Sequence, residues 1–400
     1  MPTQLAYLIH TLPLITSILA LRGPALPSPN DYSQYTSGIS IRYASGRFSS
    51  AWTPSINGSI FGRPFTFPID TGSTGLLISA SKAPEIGANQ GVSGTEFLDS
   101  SNHLYIGRRA KLTITLDGER GTKAITRIPA LIVDQYWFCP GYNEARDSKG
   151  CKSRLRGVKL LDPNNTCYMG VGFGRNSPGS NLPYATPEHN AFLNLRSING
   201  KTLSSRNFRN GYTIGVDGID IGLTGWNTQG YVWTGLDRGS TEDSRDWAMV
   251  NSSFSINGSA PYVGKALVDT GISQMYIQTS PVSPWSPTFS TVGILNPNVK
   301  PPLPPQTIQV APKNTNITIG LPDLGDGNVA GYSFRVGDDK FPSQPLFIQP
   351  VGKHSPEPFA NTGRKLLWGF NVGFDAVGGR FGLLCRKCNQ KGSGYEESAE

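Results

Sequence analysis

The chain has 400 residues, of which 47 are glycine and 31 proline; only 16% are charged, and the formal net charge is +8. A hydrophobic content of 37% with 10% aromatics excludes a disordered chain, and glycine without a three-residue period excludes collagen. Such a turn-rich, charge-poor composition predicts an all-β protein of many short strands, and the length suits two domains.

In chain order, residues 1–25 hold an apolar run from Leu5 to Leu21 with small residues at Ala20 and Ala25. This reads as a secretory signal, although no Lys or Arg precedes Arg22. Pro13 and the shortness of the run argue against a signal anchor. Residues 26–38 form a short segment before the first strands. No later stretch is apolar for long enough to cross a bilayer, and the polar tail at 389–400 is not a lipid-anchor signal. Five N-x-[ST] sequons, at Asn57, Asn164, Asn251, Asn257 and Asn316, fit secretion and candidate glycosylation.

Cys139 and Cys151 bracket a polar loop and are the expected disulfide of an oxidising compartment. The pairing of Cys167, Cys385 and Cys388 stays open, and a lone CxxC without a second pair is not read as a metal site. No metal or other cofactor is expected. Twelve basic against five acidic residues between Tyr105 and Leu160 carry nearly all the net charge. No nucleic-acid motif accompanies them, so a solvated basic face is the expectation. Gly170-Val-Gly-Phe-Gly174 lacks nucleotide-loop spacing and reads as a strand. Pro-rich 296–305 reads as a surface loop.

An internal repeat carries the chemistry. Phe67-Pro-Ile-Asp70-Thr71-Gly72-Ser73 is echoed by Ala266-Leu-Val-Asp269-Thr270-Gly271-Ile272, 199 residues later. Asp-Thr-Gly is expected by chance on the order of 0.1 times in such a length. Each copy is entered and left by apolar residues, as at Leu76-Leu77-Ile78 and Met275-Tyr276-Ile277. A second marker, Tyr168-Met169-Gly170 and Leu367-Trp368-Gly369, follows 98 residues beyond each motif glycine. The halves 39–200 and 201–388 are therefore expected to be two copies of one lobe. If they pack face to face, Asp70 and Asp269 meet and share one proton, because two close carboxylates do not both ionise readily.

On these motifs the chain resembles the pepsin-like, bilobal aspartic proteases, from about Ile39 to Leu384. The resemblance implies an all-β fold of two pseudo-symmetric lobes with a central cleft that binds an extended peptide. It implies catalysis by Asp70 and Asp269, threonines Thr71 and Thr270 locking the two loops, and a Ser73 hydroxyl on the first aspartate. One chain supplies both aspartates, so a secreted monomer suffices. The flap residue aligns with Phe97, and the position of the flap's usual tryptophan partner is Leu77. Ile272 stands where Ser73 has a donor, which predicts a raised pKa for the pair and activity at less acidic pH. The segment after a cleavage near Ala25 is too short for the usual prosegment, and Gly369–Asp375 reads as compact where the family inserts a helix. Two readings follow: an aspartic endopeptidase, or a pepsin-fold protein that binds or inhibits, or handles a small molecule, without proteolysis.

Overall fold

The computed structural model describes residues 32–386 except 99–100, 148–149, 152–156, 177–181, 183, 281–284, 286–288, 293–305, 326–327, 339–341 and 352–356. The expected signal at 1–25, the tail at 389–400 and the Pro-rich stretch 296–305, expected as a surface loop, lie outside the described residues. The protein is all-β, as its composition requires.

Three large sheets follow the chain in order. Strand β1 (Ile39–Ile41) is set aside for the second sheet. The next ten strands build the first: β2 (Ser55–Ile60), β3 (Arg63–Asp70), β4 (Thr74–Ser79), β5 (Val92–Leu98), β6 (His103–Asp117), β7 (Lys123–Phe138), β8 (Lys159–Leu161), β9 (Cys167–Val171), β10 (Leu195–Ile198) and β11 (Lys201–Thr202). Strands β12 (Arg209–Gly215), β13 (Gly218–Leu223) and β14 (Val232–Gly235) join β1 in a six-stranded sheet, completed at the far end of the chain. The seven-stranded sheet comprises β15 (Val250–Ile256), β16 (Tyr262–Leu267), β17 (Met275–Gln278), β20 (Asn316–Leu321), β21 (Ala330–Arg335), β22 (Ile348–Pro350) and β23 (Phe359–Asn361); β18 (Phe289–Val292) and β19 (Gln306–Gln309) form a separate pair. Finally β24 (Phe370–Asp375) and β25 (Arg380–Cys385) return to the six-stranded sheet.

The two motif regions repeat one local topology. β9 runs parallel to β3 and antiparallel to β4; β23 runs parallel to β16 and antiparallel to β17. β4 (TGLLIS) is buried along its whole length, as an apolar strand sandwiched on both faces must be. Continuous core packing links all three sheets, from Ile69 and Ile78 through Tyr212 and Ile214 to Val268 and Ile277.

The pairing corrects the second marker of the repeat. Tyr168 pairs with Leu77 and Asn361 with Tyr276, each partner seven residues after its aspartate. Asn361-Thr362-Gly363, not Leu367-Trp368-Gly369, is thus the counterpart of Tyr168-Met169-Gly170. Gly369–Asp375 holds no helix: a 3-10 helix at Arg364–Trp368 ends just before it, and Phe370–Asp375 is β24 itself. Asp375 is fully buried, held by a two-pronged pair with Arg209 at 2.8 and 3.0 Å and by the Tyr32 hydroxyl at 2.9 Å. A carboxylate so deeply placed requires such pairing.

Candidate active site

Asp70 ends β3, and Asp269 follows β16 by two residues. The turns that carry them interlock through their threonines. The Thr71 backbone N–H donates to Thr270 Oγ1 at 3.0 Å, and the Thr270 N–H donates to Thr71 Oγ1 at 3.0 Å. Each hydroxyl then donates across to the partner strand, Thr270 to the Ile69 carbonyl at 2.6 Å and Thr71 to the Val268 carbonyl. Thr71 and Thr270 are 1% and 0% exposed, so these four bonds satisfy groups that water cannot reach.

The glycines let the carboxyls cross. A Cβ at Gly72 would sit 2.3–2.5 Å from the Asp269 carboxyl, and one at Gly271 would sit 2.7 Å from Asp70 Oδ1. Only glycine leaves that room. Each carboxyl accepts its own motif's glycine N–H, Asp70 Oδ1 from Gly72 at 2.7 Å and Asp269 Oδ1 from Gly271 at 2.8 Å. Each also takes a side-chain donor: Ser73 Oγ to Asp70 Oδ2 at 2.6 Å, and Asn361 Nδ2 to Asp269 Oδ2 at 2.7 Å. The two carboxyls border one small space: a Cβ at Gly271 would also lie 3.0 Å from Asp269 Oδ1.

Burial, then the charge of Asp269, pushes the Asp70 carboxyl up to about 7, against the pull of Ser73 and the Gly72 N–H. The raised value expected of the pair therefore has a different cause from the one the sequence suggested. Ile272 does leave the second motif without its own hydroxyl, but Asn361 supplies the donor from β23. Asn361 is equivalent to Tyr168 in the repeat, and with the Leu367 register it was invisible as a site residue.

Tyr168 lies beside Ser73 and Asp70 with its hydroxyl buried and closing no hydrogen bond. It packs with Leu77, Tyr105 and Leu98, so the ring missing at Leu77 is supplied from across the sheet. Phe97 is not the residue that faces this cluster. It packs on the other face of β5 with Leu104, Cys139 and Tyr142, its ring 4.9 Å from that of Tyr142. Strand alternation instead sends Glu96 and Leu98 toward Tyr105 and Tyr168. Glu96 is 5% exposed; its Oε2 pairs with Arg109 and its Oε1 has no partner. Burial raises its pKa, and the Arg109 guanidinium offsets part of the rise.

Two arginines complete the surroundings. Arg175 Nε donates to the Gly72 carbonyl at 2.6 Å, and Arg364 Nη2 donates to the Gly271 carbonyl at 2.6 Å. Composition and motif spacing gave no signal for either.

The remaining expected residues are placed as follows. Cys139 and Cys151 form a disulfide with Cα atoms 5.8 Å apart. Cys385 is also disulfide-bonded, which removes it as a metal ligand. Cys167 is free, and burial pushes its thiol up to about 11, away from reactivity. Asn57, Asn164, Asn257 and Asn316 are exposed, whereas Asn251 is half-buried and accepts a hydrogen bond from Lys265. In the basic stretch, Arg108, Arg109, Lys123 and Arg146 are paired with Asp134, Glu96, Asp117 and Asp147, so part of its charge is neutralised internally. Among the described residues, no group of three His, Cys, Asp or Glu could hold a metal ion, and no helix is long and apolar enough to cross a membrane. No protein-family model matches the chain, and no curated protein matches it.

Proposed function

We propose that the protein is a secreted, monomeric aspartic endopeptidase of the bilobal pepsin-like fold. The observation that carries this reading is the close Asp70–Asp269 pair, built by two interlocked Asp-Thr-Gly turns from separate sheets. Asp70, with its raised affinity for a proton, holds the shared proton; Asp269 accepts one from a bound water as the water oxygen attacks the peptide carbonyl carbon. Asp70 gives its proton to the carbonyl oxygen, and a neutral tetrahedral diol results. Asp269 then protonates the amide nitrogen, the C–N bond breaks, and one diol hydroxyl returns its proton to Asp70. The two carboxyls end as they began, with no covalent intermediate.

An extended peptide would lie across the cleft between the two aspartate-bearing sheets. Two disulfide-bonded positions, Cys139 and Cys385, favour an oxidising compartment, and the four exposed sequons are the proposed glycosylation sites. The test is the pH dependence of kcat/KM on an unfolded protein substrate. The reading expects a bell whose basic limb falls near about pH 7, where Asp70 loses its proton. A profile peaking below about pH 4 and absent by pH 5 counts against it. The competing reading, a binder without proteolysis, draws support from the hairpin, which presents Glu96 and Leu98 rather than an aromatic ring, and it predicts no cleavage at any pH.

A further inference from the structure

Arg364 is 4% exposed, and every contact it makes is to the second motif or to the chain that abuts it. Its Nε donates to the Thr270 carbonyl at 2.9 Å and its Nη2 to the Gly271 carbonyl at 2.6 Å. The same Nη2 reaches Thr53 Oγ1 at 3.2 Å, and Nη1 reaches the Ser50 carbonyl at 3.3 Å. Thr53 Oγ1 itself donates to the Gly271 carbonyl at 3.3 Å. One guanidinium thus ties the second turn to a segment from the other half of the chain.

Arg175 does the corresponding work on the first turn. It follows β9, donates to the Gly72 carbonyl at 2.6 Å, and reaches Met249 Sδ at 3.3 Å just before β15. The two arginines do not occupy equivalent places in the repeat: Arg364 directly follows Gly363, whereas Arg175 lies five residues beyond Gly170. Both nevertheless reach the carbonyl of the motif glycine. Among the described residues neither guanidinium forms an ion pair with a carboxylate, and the hydrogen bonds of each go to neutral acceptors. Burying a full charge on neutral partners is costly, and both arginines are pushed below the usual guanidinium range by that burial, Arg364 to about 10. What offsets the burial electrostatically is the carboxyl pair: Asp70 and Asp269 act on both arginines.

Resting on the protease reading, we propose that Arg175 and Arg364 are positioning residues for the dyad. Each clamps its motif glycine's carbonyl and sets a fixed positive charge behind both carboxyls. The other ionisable groups facing the pair are Tyr168 from β9 toward Asp70 and Tyr276 from β17 toward Asp269. Burial raises both phenols, so both stay neutral across the working range. The arginines are therefore the fixed positive charges coupled to both carboxyls, and they add to the pull of Ser73 and the Gly72 N–H on Asp70.

The experiment compares Arg175→Gln and Arg364→Gln, which keep a donor and lose the charge, with Arg175→Lys and Arg364→Lys, which keep the charge and lose the fork. The readout is the 13C carboxyl titration of labelled aspartates, assigned with Asp70→Asn and Asp269→Asn, alongside the pH profile of peptide cleavage. Each Gln variant is expected to move the Asp70 titration upward by on the order of one pH unit, and both limbs of the cleavage profile with it. Lys variants should titrate within about 0.3 unit of the parent while losing kcat, because the turn is less firmly held. Folded Gln variants whose carboxyl titration is unmoved overturn the proposal. If the Gln variants do not fold, the Lys variants decide, and a shift of a full unit in them overturns it. Because the titration needs no turnover, a shifted titration in a chain that cleaves nothing would remove the protease reading and leave the charge argument standing.

Discussion

Thr270→Val tests the interlocked turns most sharply, because it changes one atom type and almost no volume. The substitution removes the hydroxyl that accepts from the Thr71 N–H at 3.0 Å and donates to the Ile69 carbonyl at 2.6 Å. Thr270 is 0% exposed, so neither orphaned backbone group regains a water partner. Leaving a buried donor or acceptor unsatisfied costs about 1–3 kcal/mol each. The two together give about 2–6 kcal/mol, and the methyl that replaces the hydroxyl returns less than about 1 kcal/mol. A net loss of about 1–6 kcal/mol is expected, a large share of a stability of about 5–15 kcal/mol. Urea unfolding with an unchanged slope reads it directly. Thr270→Ser retains both hydrogen bonds and should lose less than about 1 kcal/mol. A Val variant within about 0.5 kcal/mol of the parent would refute the reasoning, since the hydroxyl would then carry none of the load assigned to it.

Other outcomes follow from the same geometry. Asn361→Leu removes the side-chain donor on Asp269 Oδ2 and should lower kcat/KM by at least about tenfold, the equivalent of losing a charge-assisted bond; an unchanged kcat/KM would contradict the role given to Asn361. Gly72→Ala places a methyl within 2.3–2.5 Å of the Asp269 carboxyl, and cleavage should fall by at least about a hundredfold as the pair is forced apart. Asp70→Asn should stabilise the fold increasingly as pH rises. The folded-state pKa of about 7 lies above the ordinary carboxyl value of 3.8, so the native state binds the extra proton and parent stability declines between these values. Thermal unfolding should show an advantage on the order of 4 kcal/mol for the variant at neutral pH and less than about 1 kcal/mol at pH 4. Cys139→Ser opens a loop of 12-residue separation and should cost about 2–3 kcal/mol in denaturant unfolding under oxidising conditions.

What the sequence made legible was whatever local chemistry demanded. Turn-rich, charge-poor composition required strands, and the Asp-Thr-Gly repeat specified the two turns, their glycines and the Ser73 hydroxyl within a few residues. The 12-residue spacing of Cys139 and Cys151 sufficed for their pairing. Residues contributed across sheets left no such mark. Asn361 and Tyr168 reach the dyad only because β23 and β9 thread between the two strands of each motif, and that register depends on tertiary pairing. The Leu367-Trp368-Gly369 marker matched in spacing yet belongs to a helix, because the second half reaches its pairing strand after fewer residues. Phe97 and Glu96 are adjacent in sequence, and the pleat alone decides which one faces Tyr168. Arg175 and Arg364 bind backbone carbonyls, which carry no residue identity for a sequence pattern to record.

The central claim is that Asp70 and Asp269 together hydrolyse peptide bonds. Its most direct test is cleavage of a denatured protein substrate by the purified protein between about pH 3 and 8, with Asp70→Asn and Asp269→Asn in parallel. The account predicts cleavage that extends toward pH 7 in the parent and falls by at least about a thousandfold in each variant, with both variants folded. Cleavage that survives Asp269→Asn, or a folded parent that cuts nothing across that range, would contradict it.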